Sequence, residues 1–493
     1  MSGKSPIFYN ALLLTGVNLL LRLVSTSFQV YISGQIGAAG VGLLQLVLSV
    51  GGMAMTAASA GIRTTAMYLT AAELGRNRKE HICHILSGCV TYSIICSGCI
   101  GLLLYLFAPM IASNWIGSIQ TVAAIRLLAC MLPVSCLCGV MTGYFTAAGR
   151  IRALSVTEIA EQLCSMGATM LALTLWAGSD PGRACQSVVL GSSVGACVTL
   201  IILSILRLLE HAPKAPPFPL CKRLVSTAFP LALADDLKAC ISTTENLIVP
   251  KRLALFSGAA DPLAVFGTVC AMVFPVLMFP AAIVFSLAEL LIPEMARCAA
   301  AGSQKRIVYL ARKSLRIVLL YSCLTGALLH ISAQPLCMRL YRSLDAGTYL
   351  SRYAFLAPML YCDAIIDAMN KGLGQQKICV RYNVLTAALD VLFLYILLPK
   401  YGMQGYFFSF LVTHLLNFIL SLRLLLRTAR LPVKLKTPAT IALATCLSLL
   451  LCQALPNAFV QAGAFMLLFF SLLTLMGIVS RQDLHWLKGL AGK

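Results

Sequence analysis

The sequence predicts an all-α polytopic membrane protein of about 14 transmembrane helices, built as two pseudo-symmetric six-helix lobes followed by two further C-terminal helices. Three observations lead there. Of its 493 residues 59% are hydrophobic and only 11% charged, with a mean hydropathy of +0.88, which leaves too little polar surface to cover a soluble globule. Apolar runs of about 20 residues, the length that crosses the hydrocarbon core of a bilayer, recur from Asn10 to Val479. A degenerate repeat returns in the second half at one constant offset, pairing Pro133 with Pro358 and Gly149 with Gly374.

Taken in order, the expected spans are 10–33, 42–70, 82–107, 122–146, 153–176, 186–209, 224–249, 263–292, 315–335, 347–369, 378–398, 402–426, 437–454 and 459–479. With the N-terminus on the cytoplasmic side, segments on that side hold 27 Lys and Arg, and outer segments hold 7. That is the asymmetry of the positive-inside rule. One missing or surplus span would invert every later loop, so the ratio supports the count and puts both termini in the cytoplasm. Lys4 precedes an apolar stretch too long for a signal-peptide core and without a small-residue cleavage site, so the first run reads as a retained helix.

The stretch Gly143 to Gln162 reads as helix, tight cytoplasmic turn, helix: an apolar run ends at Gly149, Arg150 and Arg152 follow, and a second run begins. The same order returns at Gly374 and Lys377, and Glu73 to Arg76 is echoed by Glu294 to Arg297. Two echoes at nearly one spacing indicate a duplicated unit. The domain reading is an N-terminal lobe over 1–210, a cytoplasmic linker over 211–223, a second lobe over 224–430, and two extra helices with the tail over 431–493. The linker, HAPKAPPFPLCKR, has four prolines and three basic residues, a density that stops a helix from running through. Six is even, so both lobes enter from the cytoplasm in one orientation, with a pseudo-axis along the membrane normal.

Composition also excludes. The net charge of +21 would suggest nucleic acid in a soluble domain; here the basic residues sit between apolar runs, where they set topology and attract anionic headgroups. The 20 cysteines are scattered through apolar runs and read as small packing residues. His81, Cys83 and His84 lie at a charged helix start with no further ligand nearby and are not read as a metal site. Outer loops are too short to fold as a catalytic domain, and no GxxxxGK[ST] occurs, so the chain is read as neither an enzyme nor an ATP-driven pump. No cofactor is expected beyond a coupling Na⁺ or H⁺.

An ionised side chain at mid-bilayer costs about 2.5–3.5 kcal/mol even on the lenient insertion scale, so each invites a functional question. In the first lobe these are Arg22, Arg63 and Arg126, with Glu158 and Glu161 the acids within its spans. A cationic cavity favours an anion, and guanidinium suits phosphate because its fork donates two parallel hydrogen bonds. The plainer reading is that Arg126 snorkels to the headgroups and Arg63 pairs with an acid on a neighbouring helix. The second half carries Asp235 and Asp236 in the seventh span, Asp363 and Asp367 at i, i+4 in the tenth, and Asp390 in the eleventh. These are candidates for ion coupling, Asp236 and Asp390 first; against that, Asp235 and Lys238 can neutralise each other. Pro133, Pro230, Pro275, Pro280 and Pro358 are candidate hinges, and Gly51 with Gly52 candidate close-packing positions.

The run NALLLTGVNLLLRLVSTSFQVYISGQIGAAGVGLLQL, the segment AGIRTTAMYLTAAELGRN, the stretch from Glu245 to Pro280, GLGQQK and LPKYGMQGYFFSF resemble the stage V sporulation protein B type of polysaccharide flippase. That group belongs to the multidrug, oligosaccharidyl-lipid and polysaccharide exporter superfamily and has the lipid II flippases as relatives. The resemblance implies two six-helix lobes around a central cavity, a lipid-side groove from the two extra helices, and movement of an undecaprenyl-pyrophosphate-linked sugar between leaflets. It implies cationic substrate contacts at Arg22 and Arg63, with a lipid-linked saccharide and membrane lipids as partners and a monomeric transporter as the working form. Gln29 stands where a second first-span arginine is common, Arg63 follows Gly61 and Ile62 where proline is usual, and the eighth span carries Glu289 and no arginine. A thinner cationic set fits a smaller or differently charged lipid-linked cargo. A drug exporter of the same superfamily would want an acidic, aromatic cavity; a membrane polymerase would want a large outer loop with paired carboxylates; a non-transporting scaffold is compatible with the residues.

Overall fold

The computed structural model describes residues 6–478 apart from 60, 76–80, 179, 210–220, 259–260, 432–435 and 456, so most of the linker expected at 211–223 lies outside the described residues. Among the described residues the fold is helical with no strand. Two compact units are formed, residues 1–267 with 394–402, and residues 268–393 with 403–493. In the first run α1 (Pro6–Ser59), α2 (Ile62–Gly75), α3 (Ile82–Met110), α4 (Val122–Ala147), α5 (Ile151–Ala172), α6 (Pro181–Leu208), α7 (Cys221–Leu253) and α8 (Pro262–Gly267). The second holds α9 (Phe274–Met278), α10 (Ala281–Ala300), α11 (Gln304–Tyr341), α12 (Leu344–Tyr353), α13 (Ala357–Gly372), most of α14 (Gln376–Thr428), α15 (Lys436–Cys452) and α16 (Ala458–Leu475).

Seven stretches among the described residues are long and apolar enough to cross a membrane, and two of them are double. At 54 residues α1 would reach about 80 Å if straight, far beyond a hydrocarbon core of about 30 Å. It breaks at Gly37, φ 71° and ψ 176°, between the first two expected spans. The 53-residue α14 breaks at Gly402, φ 55° and ψ −137°, where the eleventh and twelfth were expected to meet. Elsewhere the expected spans are less continuous than apolar periodicity suggests. The second is interrupted after Ser59, with Gly61 at φ 68°; the eighth bends by 62° before α10, at Pro280; the tenth begins as α12, passes through a 3₁₀ turn and resumes at α13. Pro358 sits in the first turn of α13, where the missing N–H costs nothing, whereas Pro133 lies inside α4. Pro275 opens α9, and the side chain of Pro230, within α7, lies outside the described residues.

The duplication is written in the backbone. Three bonds close the turn after α4: the amides of Ala148, Gly149 and Arg150 donate to the carbonyls of Tyr144, Thr146 and Phe145. Every one recurs at the repeat offset, from Leu373, Gly374 and Gln375 to Met369, Lys371 and Asn370. Left-handed residues recur likewise, Gly117 with Arg342 and Gly149 with Gly374. So do close approaches: a Cβ on Gly101 would lie 2.8 Å from the Ala129 carbonyl, and one on Gly326 2.9 Å from that of Ala354.

Small residues decide where helices meet. Gly42 on α1 and Gly267 on α8 pack backbone to backbone: a Cβ on Gly42 would overlap the Leu263 carbonyl, and one on Gly267 the Ala38 carbonyl. Both pairs of partners, 38 with 263 and 42 with 267, are separated by the repeat offset itself, so repeat-related positions meet reciprocally. A Cβ on Gly51 would lie 2.9 Å from Leu128 Cδ1, while Gly52, expected to pack with it, faces open space. In the second unit α15 and α16 pack on α11 through Cys323, Ala327, Ile441, Phe465 and Phe469, and Arg316 donates to the Ile478 carbonyl just past the end of α16, a favourable place for a cation.

Replacing Gly42 or Gly267 with Val should destabilise the protein by about 2 kcal/mol or more, since rigid backbone must retreat to admit the side chain. Gly52→Ala should leave stability unchanged. Thermal denaturation in detergent, followed by the monodisperse fraction, checks both.

Candidate functional site

Within the first unit five helices, α1, α2, α4, α5 and α6, line a polar cavity of about 370 Å³. A pair of glycines one turn apart on α4 builds one wall. A Cβ on Gly139 would lie 3.7 Å from the Cβ of Arg63, and one on Gly143 would lie 2.5 Å from the Arg63 carbonyl, closer than any side chain tolerates. The first turn of α2 therefore lies against the backbone of α4, and its guanidinium-bearing residue, Arg63, lines the cavity and is exposed to it. Opposite stand Glu158 and Glu161, one turn apart on α5, with Thr157 beside them and Thr199 on α6. Ser59, Ser135, Thr142, Cys136 and Cys138 complete the polar lining.

The two glutamates are held differently. Thr199 Oγ1 donates to Glu161 Oε2 at 2.6 Å, a short charge-assisted bond that fixes that carboxylate to α6. Gly195 makes room for it: a Cβ there would lie 3.2 Å from the Glu161 Cγ. Glu158 is half-buried and feels the charge of Arg63, yet no ion pair within 4 Å joins them among the described residues. One guanidinium and one carboxylate without an ion-pair partner among the described residues thus share a polar chamber.

The three arginines singled out in sequence do not converge there. Arg22 is half-buried on α1, its carbonyl accepting from Thr26 Oγ1 at 2.9 Å, and is not among the cavity's lining residues. Arg126 lies 13 residues before Gly139 along α4, about 20 Å away, and stacks over the Tyr105 ring at 5.1 Å. That leaves Arg63 as the cavity's cation. Glu158, Glu161 and Thr199 are the residues that sequence reasoning left out of the site; the i, i+3 spacing of the two glutamates and the hydroxyl-rich face of α6 were the available signals.

The acids of the second half are dispersed. Asp390 is only 4% exposed and accepts from Ser409 Oγ at 2.5 Å and Thr413 Oγ1 at 3.1 Å, both within α14. Asp363 accepts from Asn417 Nδ2 at 2.9 Å. Asp367, one turn on from it, is instead paired with Lys371 at 2.6 Å. Asp236 is half-buried on α7, and the side chain of Asp235 lies outside the described residues.

Residues 7–299 match the family model described as polysaccharide biosynthesis protein. Stage V sporulation protein B of Bacillus subtilis (strain 168) is 20% identical over 416 residues, 82% of this chain and 80% of that protein. Among solved structures, the lipid II flippase MurJ in an inward closed conformation superposes with a TM-score of 0.70 at 11% identity, covering 94% of this chain and 98% of that one. An inward-facing multidrug resistance MATE family transporter of the MOP superfamily gives 0.68 at 13% identity, over 84% and 98%. The fold is that of these polytopic membrane transporters.

Ser409→Ala should cost about 1–3 kcal/mol, because a buried carboxylate loses a donor that nothing replaces. Lys371→Ala, at a pair that solvent reaches, should cost less than about 1 kcal/mol. Denaturation midpoints of the two variants, compared in one detergent, separate the cases.

Proposed function

This chain belongs to the polysaccharide biosynthesis protein family, and we propose that it is a flippase, carrying an undecaprenyl-pyrophosphate-linked sugar or peptidoglycan precursor from the inner to the outer leaflet of the cell membrane. The observation that carries this reading is Arg63, an arginine without an ion-pair partner within 4 Å among the described residues, lining a polar cavity in a helix bundle. A pyrophosphate headgroup cannot cross hydrocarbon uncompensated, whereas its polyprenyl tail is at home there. A guanidinium that donates two parallel bonds meets that need, and the chamber's hydroxyls supply hydrogen bonds to sugar. Likeness in fold to a lipid II flippase and in sequence to stage V sporulation protein B supports the cargo class and a role in envelope or spore-cortex biogenesis. Transport proceeds by alternating access, with both termini in the cytoplasm, and Asp236 and Asp390 are the first choices for coupling to a sodium or proton gradient.

One observation favours a second reading. Glu158 and Glu161 line the same cavity, and a chamber with two carboxylates and one guanidinium can hold a cation, the cargo of a multidrug exporter. The readings part on which charge is indispensable.

Leaflet-resolved accessibility of a lipid-linked precursor in vesicles tests them. Arg63→Ala should lower translocation about 10- to 100-fold, the loss of a charge-assisted hydrogen bond worth about 1.5–3 kcal/mol. Arg63→Lys should restore only part of it, because an ammonium lacks the fork. Undiminished translocation in both Arg63→Ala and Arg22→Ala would refute the anion clamp. Retained translocation with loss of cationic-dye efflux in Glu158→Gln would favour the exporter.

A further inference from the structure

Asp363 on α13 and Asn417 on α14 form the one place in the second unit, among the described residues, where two matched deficits meet. Asn417 Nδ2 donates to Asp363 Oδ2 at 2.9 Å. The other oxygen of each group, Asp363 Oδ1 and Asn417 Oδ1, is withdrawn from solvent and has no hydrogen-bond partner, although Asn417 as a residue is only 8% exposed. A buried acceptor left unmade costs about 1–3 kcal/mol, more when it is charged. Two such oxygens, on side chains already joined by one bond, would be a poor arrangement for an ionised carboxylate.

A single proton resolves both. Placed on Asp363 Oδ1, it is donated to Asn417 Oδ1, while Asn417 Nδ2 keeps its bond to Asp363 Oδ2. The result is the eight-membered ring of a carboxylic acid paired with a carboxamide. We propose that Asp363 and Asn417 form a proton-binding site, in which Asp363 is the carboxylic acid and Asn417 its hydrogen-bonding partner. Bound proton, not metal ion, follows from the donor count: two orphaned oxygens satisfy a proton, whereas a sodium ion needs several more. The other unpartnered oxygen on α13, Asn370 Oδ1, is seven residues along the helix, about 10 Å away.

The surroundings agree. Asp367 on α13 is neutralised by Lys371. Cys362 and Tyr361 precede the carboxyl on its own helix; Tyr321, stacked on Tyr361, and Cys323 lie on α11; Cys379 lies on α14, as does His414, whose ring stacks on Phe410 and bonds the Phe410 carbonyl. On α10 the charged groups are Glu289, which is exposed, and Glu294, held by Arg297 and Arg306. None of these places an uncompensated cation against Asp363 to hold it ionised. Packing does not demand the pair either: the repeat-related positions in the first unit are Cys138 and Ser192, and there the thiol simply bonds the Ala196 carbonyl.

As the coupling site of a carrier the pair rests on the transport reading above; as a proton site it stands without it. Infrared spectra of the full-length protein in lipid, recorded as pH is raised through neutrality, should show one carboxylic-acid carbonyl band per chain that Asp363→Asn removes. Asp363→Asn can rebuild the ring with its own amide donating to Asn417 Oδ1, so its thermal stability should match the wild type in acid, below the ordinary aspartate pKa of about 4. Wild type should lose stability relative to that variant as pH rises, since the folded state holds a proton that the unfolded chain releases. Identical acid bands in both proteins at neutral pH would overturn the proposal. So would a band that sodium, but not choline, abolishes at constant pH, which would make the ligand a metal cation. Absence of translocation by the wild type, with band and stability profile as expected, would count against the flippase reading alone.

Discussion

Inside hydrocarbon a backbone N–H or C=O finds no water, so every one must be satisfied within the protein. That constraint makes the chain helical, and it makes helix contact depend on small residues rather than on hydrophobicity, because lipid is as apolar as leucine. Arg63 shows the consequence. Its position follows from Gly139 and Gly143, which let α2 lie against the backbone of α4. A larger residue at either point would move the guanidinium before changing any chemistry. The site is placed by glycines that never touch a ligand.

Polar side chains then divide by whether the fold already satisfies them. Glu161 is tied to Thr199, Asp390 to Ser409 and Thr413, and Asp367 to Lys371. Arg126 lies over an aromatic ring. Each has a partner within the fold. Arg63 and Glu158 have not closed on one another and line open volume, so their electrostatic capacity remains for something that enters. Counting charges in membrane spans finds both classes together; the partner's identity is what separates them.

Much of the frame was legible in sequence. The turn at Gly149 and its copy at Gly374 were readable because a glycine, basic residues and flanking apolar runs leave the chain few choices, and the structure repeats them bond for bond. The breaks after Ser59 and between α12 and α13 were not readable, since an apolar run looks the same whether or not one residue within it turns. The site was half legible. Desolvation cost pointed to Arg63 and Asp390 as unusual, but which residues share a chamber is decided by helix crossings, and these depend on glycines far apart in the chain. Asn417 escaped notice for another reason: an uncharged amide raises no alarm until the carboxyl facing it is seen.

The duplicated frame also explains how the two units come to differ. Turn geometry and close approaches recur at the repeat offset, so these are what the copied backbone requires. Cavity-facing positions do not recur. Cys138 and Thr142 on α4 correspond to Asp363 and Asp367 on α13, while Glu158 and Glu161 on α5 correspond to Asn383 and Thr386 on α14. The acids have changed helices, and with them their state. In the first unit the glutamates flank a guanidinium across open volume; in the second Asp363, Asp367 and Asp390 are each joined to a side-chain partner. A single backbone plan thus supports an open charged chamber in one unit and partnered acidic groups in the other. That division suits a machine in which one half meets a bulky anion and the other responds to something as small as a proton.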